Sequence, residues 1–428
     1  MAQLSDDCFA FGGRLMTTAE ALALLDERVV AVTERESVPL AAALGRILAE
    51  DLVATRDVPP HDNSAVDGYA VYFDDLDPER ETVLPLADER AAAGHPIRAR
   101  QARGTAVRIF TGAPMPAGAE GDGPDTVMMQ EDCIEETAPD GARRVRVTPG
   151  IKRGSNRRKR GEDVRAGTIV LKRGQRLRPQ DIGLAASIGS TALCVHRPLR
   201  VAVFSTGDEI RDPGTALPAG CVYDANRYTL AALLAQLGCA VTDLGILPDR
   251  VDAIAKALGQ AAETHGLIIT SGGVSTGDED HVKAAVESLG SIHAWRLAIK
   301  PGRPIALGQV GRVPFLGLPG NPVAVMVTFL RIARPVILKL MGATDTTPHL
   351  FRVRAAFEHK KKKDRREWVR ARLAVDADGA LVAEKFPRQG AGILTSMVES
   401  DGLVELPEAM TRLEPGTMVD FLPFSEVS

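Results

Sequence analysis

Between Thr17 and Val29 the apolar residues Ala21, Leu22, Leu24 and Leu25 recur at helical spacing, and Thr17 with Glu20 forms a capping box. The pattern predicts an amphipathic helix there and a second from about Pro39 to Glu50. The following VPPHDNSAVDGYAV is rich in turn residues and reads as loop. Short alternating runs at Ala106 to Phe110, Thr126 to Gln130 and Arg143 to Val147 predict a small β-rich domain, with GAEGDGPDT around Gly121 as a surface loop. From Arg200 the pattern changes to strand–helix alternation. Strands are expected at Val201 to Phe204, Ala240 to Leu247, Leu267 to Thr270 and Val313 to Leu318. Helices are expected at Tyr228 to Leu237, Val251 to Ala262, His281 to Leu289 and Val323 to Leu340. Continuous apolar strands alternating with helices imply a mostly parallel sheet covered on both faces. From about Pro348, β runs return at Phe351 to Ala355, Trp368 to Leu373, Leu403 to Leu406 and Met418 to Phe421, as in a small barrel or sandwich.

Composition narrows the function classes. The 428 residues suffice for two to four domains, and 45% hydrophobic with 25% charged residues excludes a disordered chain. A net charge of −4 and only 4% aromatics argue against nucleic acid as a partner. Cys8, Cys133, Cys194, Cys221 and Cys239 are scattered without C-x-x-C spacing, so neither a disulfide framework nor a structural zinc site is expected. No signal-peptide pattern opens the chain. The apolar stretch Val323 to Met341 carries Arg331, Arg334, Pro335 and Lys339, too many interruptions for a membrane span. A cytoplasmic protein is expected.

Ligands of parallel sheets bind at the carboxyl ends of the strands, and three loops there carry suitable chemistry. In FSTGDE, Ser205, Thr206 and Gly207 offer donors to an anion, while Asp208 and Glu209 suit a hard cation such as Mg²⁺. In TSGGVSTGDEDH, Gly272 and Gly273 permit close backbone approach, Ser271, Ser275 and Thr276 add donors, and Asp278, Glu279 and Asp280 add carboxylates. GLPGNP, from Gly317 to Pro322, joins a strand to a helix. Together these describe a pocket for a phosphate-bearing ligand bridged by Mg²⁺. No Walker A sequence occurs. Arg296, Lys300 and Arg303 in WRLAIKPGRP read either as an oxyanion clamp or as surface cations. The basic run IKRGSNRRKRGEDV is either a solvated loop or a wrap for a phosphate-bearing small molecule. The cluster His359 to Arg366 is most simply a charged hairpin loop without a catalytic role.

HDNSAVDGYA, FTGAPMPAGA, RGED, STGDE, SGGVSTGDED, AIKPGRP and GLPGNPV occur in this order. With them the chain resembles the MoeA-type molybdopterin molybdenumtransferases, the family of the gephyrin E domain, from about Leu15 to Pro423. The resemblance implies an enzyme that inserts molybdate into adenylylated molybdopterin, with Mg²⁺-dependent release of AMP. It implies an elongated homodimer whose active cleft combines the α/β domain of one subunit with small domains of the other. A molybdopterin adenylyltransferase and apo-molybdoenzymes are possible protein partners. The implied fold class is α/β plus β. It comprises a discontinuous helical or linker domain (15–56 and 150–198), an inserted β-rich domain (57–149), a MogA-like α/β domain (199–344) and a C-terminal β-barrel domain (345–428).

Carried over residue by residue, Asp67, Thr111, Asp163, Glu209, Asp249 and Asp280 match positions of the family's active cleft, with Glu209, Asp249 and Asp280 as the metal set. Arg158, Ser205, Thr206, Gly207, Ser271, Gly272, Gly273 and Ser275 are expected to bind the pterin nucleotide. Arg296, Lys300, Pro319, Pro322 and Arg370 are expected to bind molybdate. Two departures stand out. Relatives often carry Lys where Arg296 stands, and their usual QGS reads QGA at Gln389 to Ala391. The second removes a hydroxyl donor and keeps two alternatives open: a non-catalytic cofactor-binding carrier or scaffold, and an insertase that prefers tungstate.

Overall fold

A computed structural model describes residues 15–273, 281–302 and 304–427. They fall into two compact units, one formed by Asp51–Lys172 with Pro179–Ala192 and the other by the rest.

The first unit is built on a six-stranded sheet of β1 (Gly68–Val71), β2 (Thr82–Ala91), β3 (Ala106–Ile109), β4 (Thr126–Met129), β5 (Cys133–Thr137) and β6 (Arg143–Val147), in the order β4-β1-β3-β2-β6-β5. The three expected runs are strands, as predicted. The segment read as loop is not all loop, because β1 is completely buried between β3 and β4. Gly68 explains why composition misled: a Cβ there would stand 1.8 Å from the Met128 carbonyl oxygen, so this glycine serves close strand approach rather than a turn. In the basic run, Arg153 pairs with Asp74 and Asp125, Arg157 with Asp62, and Arg160 with Asp57. Three of its six cations are thus neutralised locally.

In the second unit, helix α1 (Thr18–Arg28) carries the expected capping box: Thr17 N donates to Glu20 Oε2 at 2.9 Å, and Glu20 N to Thr17 Oγ1 at 3.2 Å. The helix predicted from Pro39 to Glu50 is absent. Only a 3₁₀ turn forms at Leu40–Ala42, after which Ile47 bridges to Arg176 and Leu48 to Val195 in extended conformation. Gly45 at φ 74° ends helical geometry, and Ile47, Leu48 and Ala49 are buried consecutively, which one helix face cannot achieve.

The α/β sheet contains β7 (Arg200–Thr206), β8 (Ala240–Leu247), β9 (Leu267–Ser271), β10 (Gly290–Arg296), β12 (Pro304–Val310) and β13 (Val313–Leu318), in the order β8-β7-β9-β13-β12-β10. A two-residue strand, β11 (Ile299–Lys300), leaves it. β8, β7, β9 and β13 are parallel, whereas β12 and β10 add an antiparallel edge that the pattern did not reveal. Alternate residues of β7 explain the continuous apolar run. Val201 and Val203 pack with Leu230 and Leu234 of α2 (Ala225–Gln236), and Ala202 and Phe204 face the other layer. That layer holds Ile254 and Leu258 of α3 (Val251–Ala262) and Val286 of α4 (His281–Leu289). The long helix expected from Val323 consists of α5 (Pro322–Thr328), a π-helical turn at Phe329–Ala333 and α6 (Arg334–Leu340). Pro335 has no N–H to donate and its ring crowds the preceding turn, which the wider π turn accommodates.

The C-terminal strands are β14 (Phe351–Ala355), β15 (Arg366–Val375), β16 (Leu381–Lys385), β17 (Gly402–Leu406) and β18 (Met418–Pro423). They pair in the order β15-β16-β14-β18-β17, and β17 pairs back to β15, closing a five-stranded barrel. β11 adds to β15 in parallel.

Candidate active site

The strand ends of the α/β sheet collect donors and carboxylates. Thr206 ends β7 and donates its hydroxyl to Asp249 Oδ1 at 3.1 Å, and His281 Nδ1 lies 3.3 Å from the same oxygen. A Cβ on Gly207, at φ 136°, would stand 2.7 Å from Glu209 Oε2, so the Glu209 carboxylate folds back over this glycine. Ser205 is buried, with no hydrogen-bond partner for its hydroxyl among the described residues. Ser271 ends β9, and Gly272 N donates to Leu318 O at 2.9 Å. This brings the SGG loop beside GLPGNP, where Asn226 Nδ2 holds the Gly320 carbonyl at 2.7 Å. Ser275 and Asp280 lie outside the described residues. Among the described residues, no group of three or more His, Cys, Asp or Glu side chains is arranged to hold a metal ion.

A cavity of about 490 Å³ opens beside these loops. Gly272, Gly273, Lys300, Pro319 and Arg370 line it, and so do His359, Arg365, Glu367, Gln389 and Ala391. Arg370, on β15, is 2% exposed and has no carboxylate partner among the described residues. Its Nε donates to Ser396 Oγ and its Nη2 to Gly390 O, each at 3.0 Å. Burial pushes its pKa down to about 10, so it remains a cation at neutral pH. A buried guanidinium paired only with neutral acceptors is costly, and an anion in the cavity offsets that cost. Lys300 and Glu367 are cross-strand neighbours, with Nζ 3.3 Å from Oε2. Burial pushes the Glu367 carboxyl up, but hydrogen bonds from His359 and Arg365 and the charge of Lys300 outweigh it and hold the pKa at about 2.

In the first unit, Asp67 Oδ1 accepts the Thr111 N–H and hydroxyl, each at 2.7 Å. These two bonds, backbone first, hold the carboxyl below its usual range against a smaller desolvation effect. Arg158 pairs with Asn63 in a short antiparallel ladder and is exposed, with no ion pair among the described residues; Asp163 is exposed as well.

Comparison with known proteins decides the family. Residues 16–189 match the MoeA N-terminal region (domains I and II), 202–339 a probable molybdopterin-binding domain, and 352–424 the MoeA C-terminal region (domain IV). The molybdopterin molybdenumtransferase of Haemophilus influenzae is 37% identical over 96% of this chain and 100% of its own length. Molybdopterin molybdenumtransferase 2 of Mycobacterium tuberculosis (H37Rv) is 36% identical over 92% of this chain and 97% of its own. The crystal structure of the molybdopterin biosynthesis MoeA protein from Pyrococcus horikoshii superposes with a TM-score of 0.79 at 26% identity, covering 96% of this chain and all of that one. The chain belongs to the MoeA family.

Within this MoeA chain, the structure gathers Lys300, Pro319, Arg370, Gly272 and Gly273 around one cavity. Arg296 is exposed and Pro322 starts α5; neither lines the cavity. Sequence reasoning missed Glu367, Gln389 and the contribution of the 359–366 cluster. That cluster is not merely a charged hairpin loop: His359–Lys360 is a strand paired with Arg412–Leu413, and His359 and Arg365 hold Glu367. No periodic signal marked Glu367: residues 367–371 are all buried, so REWVRA lacks the polar–apolar alternation that would separate a core face from a solvent face. Cys133, Cys194, Cys221 and Cys239 are free thiols. No helix among the described residues is long and apolar enough to cross a membrane.

Proposed function

We propose that this chain, a molybdopterin molybdenumtransferase by family, moves molybdenum from molybdate into adenylylated molybdopterin and releases AMP. The observation that carries this reading is Arg370, a buried cation without a carboxylate partner, lining a cavity of about 490 Å³ together with Lys300. Arg370 and Lys300 bind and orient the dianionic oxyanion, and Pro319 and Gly320 let the backbone lie close to it. The Thr206, Gly207, Ser271, Gly272 and Gly273 loops hold the pterin nucleotide, with the Ser205 hydroxyl and Ser275 as further donors.

Glu209 and Asp249 supply oxygen ligands only, which suits a hard cation that keeps most of its water and takes one or two carboxylates; Asp280 is the third member of this set. Bound Mg²⁺ would neutralise the phosphate charge of the nucleotide. Thr206 keeps the Asp249 carboxylate oriented. Asp67, Thr111, Arg158 and Asp163 belong to the reading as cleft residues, Arg296 and Pro322 as outer molybdate contacts. We extend it to a cytoplasmic homodimer with the four domains at 15–56 with 150–198, 57–149, 199–344 and 345–428.

The test is an insertion assay with adenylylated molybdopterin, Mg²⁺ and a molybdate series, following AMP release and reconstitution of an apo-molybdoenzyme. Saturable, molybdate-dependent release is expected, lost in Glu209→Gln and Asp280→Asn while each variant stays folded. Tight pterin binding without AMP release at any molybdate or tungstate level identifies a carrier instead. Unchanged turnover in both variants removes the metal role assigned to these carboxylates.

A further inference from the structure

Glu367 stands where an anion-binding cavity is least served by a carboxylate. It lines the cavity, its side chain is 3% exposed, and it is tied on three sides. Lys300 Nζ lies 3.3 Å from Oε2, His359 Nε2 3.1 Å from the same oxygen, and Arg365 pairs with Oε1. Among the described lining residues Lys300, Arg365 and Arg370 are positive and Glu367 alone is negative, which leaves two positive charges besides His359. Those two charges match the two of a tetrahedral dianion. The carboxylate engages Lys300, which itself lines the cavity, so its charge bears on the cavity and not only on the packing of the barrel.

Resting on the reading of this cavity as the oxyanion site, we propose that Glu367 is its specificity-determining residue: by cancelling one of three cationic charges, it fixes the charge of the oxyanion that the cavity prefers. The carboxylate performs this role throughout the neutral range, because its partners keep it ionised. It also tempers the hold of Lys300 on the bound anion, which has to leave the site as product.

The experiment compares two tetrahedral oxyanions of similar size, molybdate with two charges and perrhenate with one, by competition against radiolabelled molybdate on the full chain. Coulomb energy is linear in ligand charge, so one added cavity charge acts twice as strongly on the free energy of the dianion. Glu367→Gln is expected to tighten perrhenate about fivefold and molybdate about 25-fold, the square of the first gain. Glu367→Asp, which keeps the charge, should retain the wild-type selectivity ratio. Equal gains for both anions, or none, overturn the proposal.

If Glu367→Gln does not fold, Arg365→Gln gives the converse, and molybdate affinity must fall by the square of the perrhenate loss; an unmoved ratio overturns the proposal. A wild-type chain that binds neither anion saturably, or whose binding survives Arg370→Met, removes the oxyanion reading of the cavity itself. That result differs from a bound but charge-indifferent site.

Discussion

Arg370 Nη2 donates to the carbonyl oxygen of Gly390 at 3.0 Å, which ties the cavity's buried guanidinium to the residue just before Ala391. The backbone of Ala391 is fixed as well, since its carbonyl accepts from Val323 N at 3.0 Å. The family's serine would therefore present its hydroxyl from a held position, into a cavity that Ala391 already lines.

Restoring that hydroxyl is the first prediction. A hydrogen bond to a charged group is worth roughly 1.5–3 kcal/mol, or about one to two decades in affinity. Ala391→Ser should lower the molybdate concentration at half-maximal AMP release by about tenfold or more, with little change in kcat. A molybdate dependence identical to wild type would show that a neighbouring donor or water already fills the place.

The isolation of Arg370 leads to the second. Replacing a buried, uncompensated charge with an apolar side chain of similar volume is often neutral or stabilising. Arg370→Met should keep or raise the melting temperature while molybdate affinity falls by about two decades or more. Thermal melts and equilibrium dialysis on the same preparation separate the two effects. A large loss of stability would mean that the bonds to Ser396 and Gly390 hold the barrel together.

The third concerns Gly68. Its virtual Cβ lies 1.8 Å from the Met128 carbonyl oxygen, in backbone that cannot yield without breaking the β1–β4 ladder. Gly68→Ala should destabilise the unit formed by Asp51–Lys172 with Pro179–Ala192 by about 3 kcal/mol or more. Limited proteolysis that cuts this unit first is the expected result, and wild-type resistance would contradict the close approach.

These residues also show what the sequence could and could not reveal. β7 and β9 were legible because strands buried on both faces are unbroken apolar runs, and α1 because Thr17 and Glu20 spell its cap. β1 was hidden by Gly68, a strand residue that looks like turn punctuation. β10 and β12 were hidden by the Pro and Gly of the clamp segment between them. In the cavity, Lys300, Pro319 and Arg370 were found through the family's motifs. Glu367 escaped because a carboxylate near an anion site has no motif logic. Its role depends on the register of β11 against β15, which joins residues 67 positions apart in the chain.

The last prediction is a pH dependence. His196 is buried, its Nδ1 3.0 Å from Thr33 Oγ1 and its ring close against Gly342, where a Cβ would meet Nε2 at 2.4 Å. Burial lowers its pKa below 6.5; a bond to Thr33 opposes the shift, and the charges of Arg35 and Arg173 add to it. The folded chain thus holds His196 neutral at a pH where the unfolded chain already protonates it. The unfolded state binds more protons there, so stability falls as pH drops through 6.5 toward the lowered folded value, and is unaffected above. Both tryptophans, Trp295 and Trp368, lie in the same unit as His196, so their fluorescence follows the relevant transition. Wild-type urea midpoints should decline as the pH drops below about 6.5, and His196→Gln, which cannot protonate, should show a shallower decline whatever its absolute stability. Parallel acid limbs in the two proteins would assign the acid sensitivity to other groups.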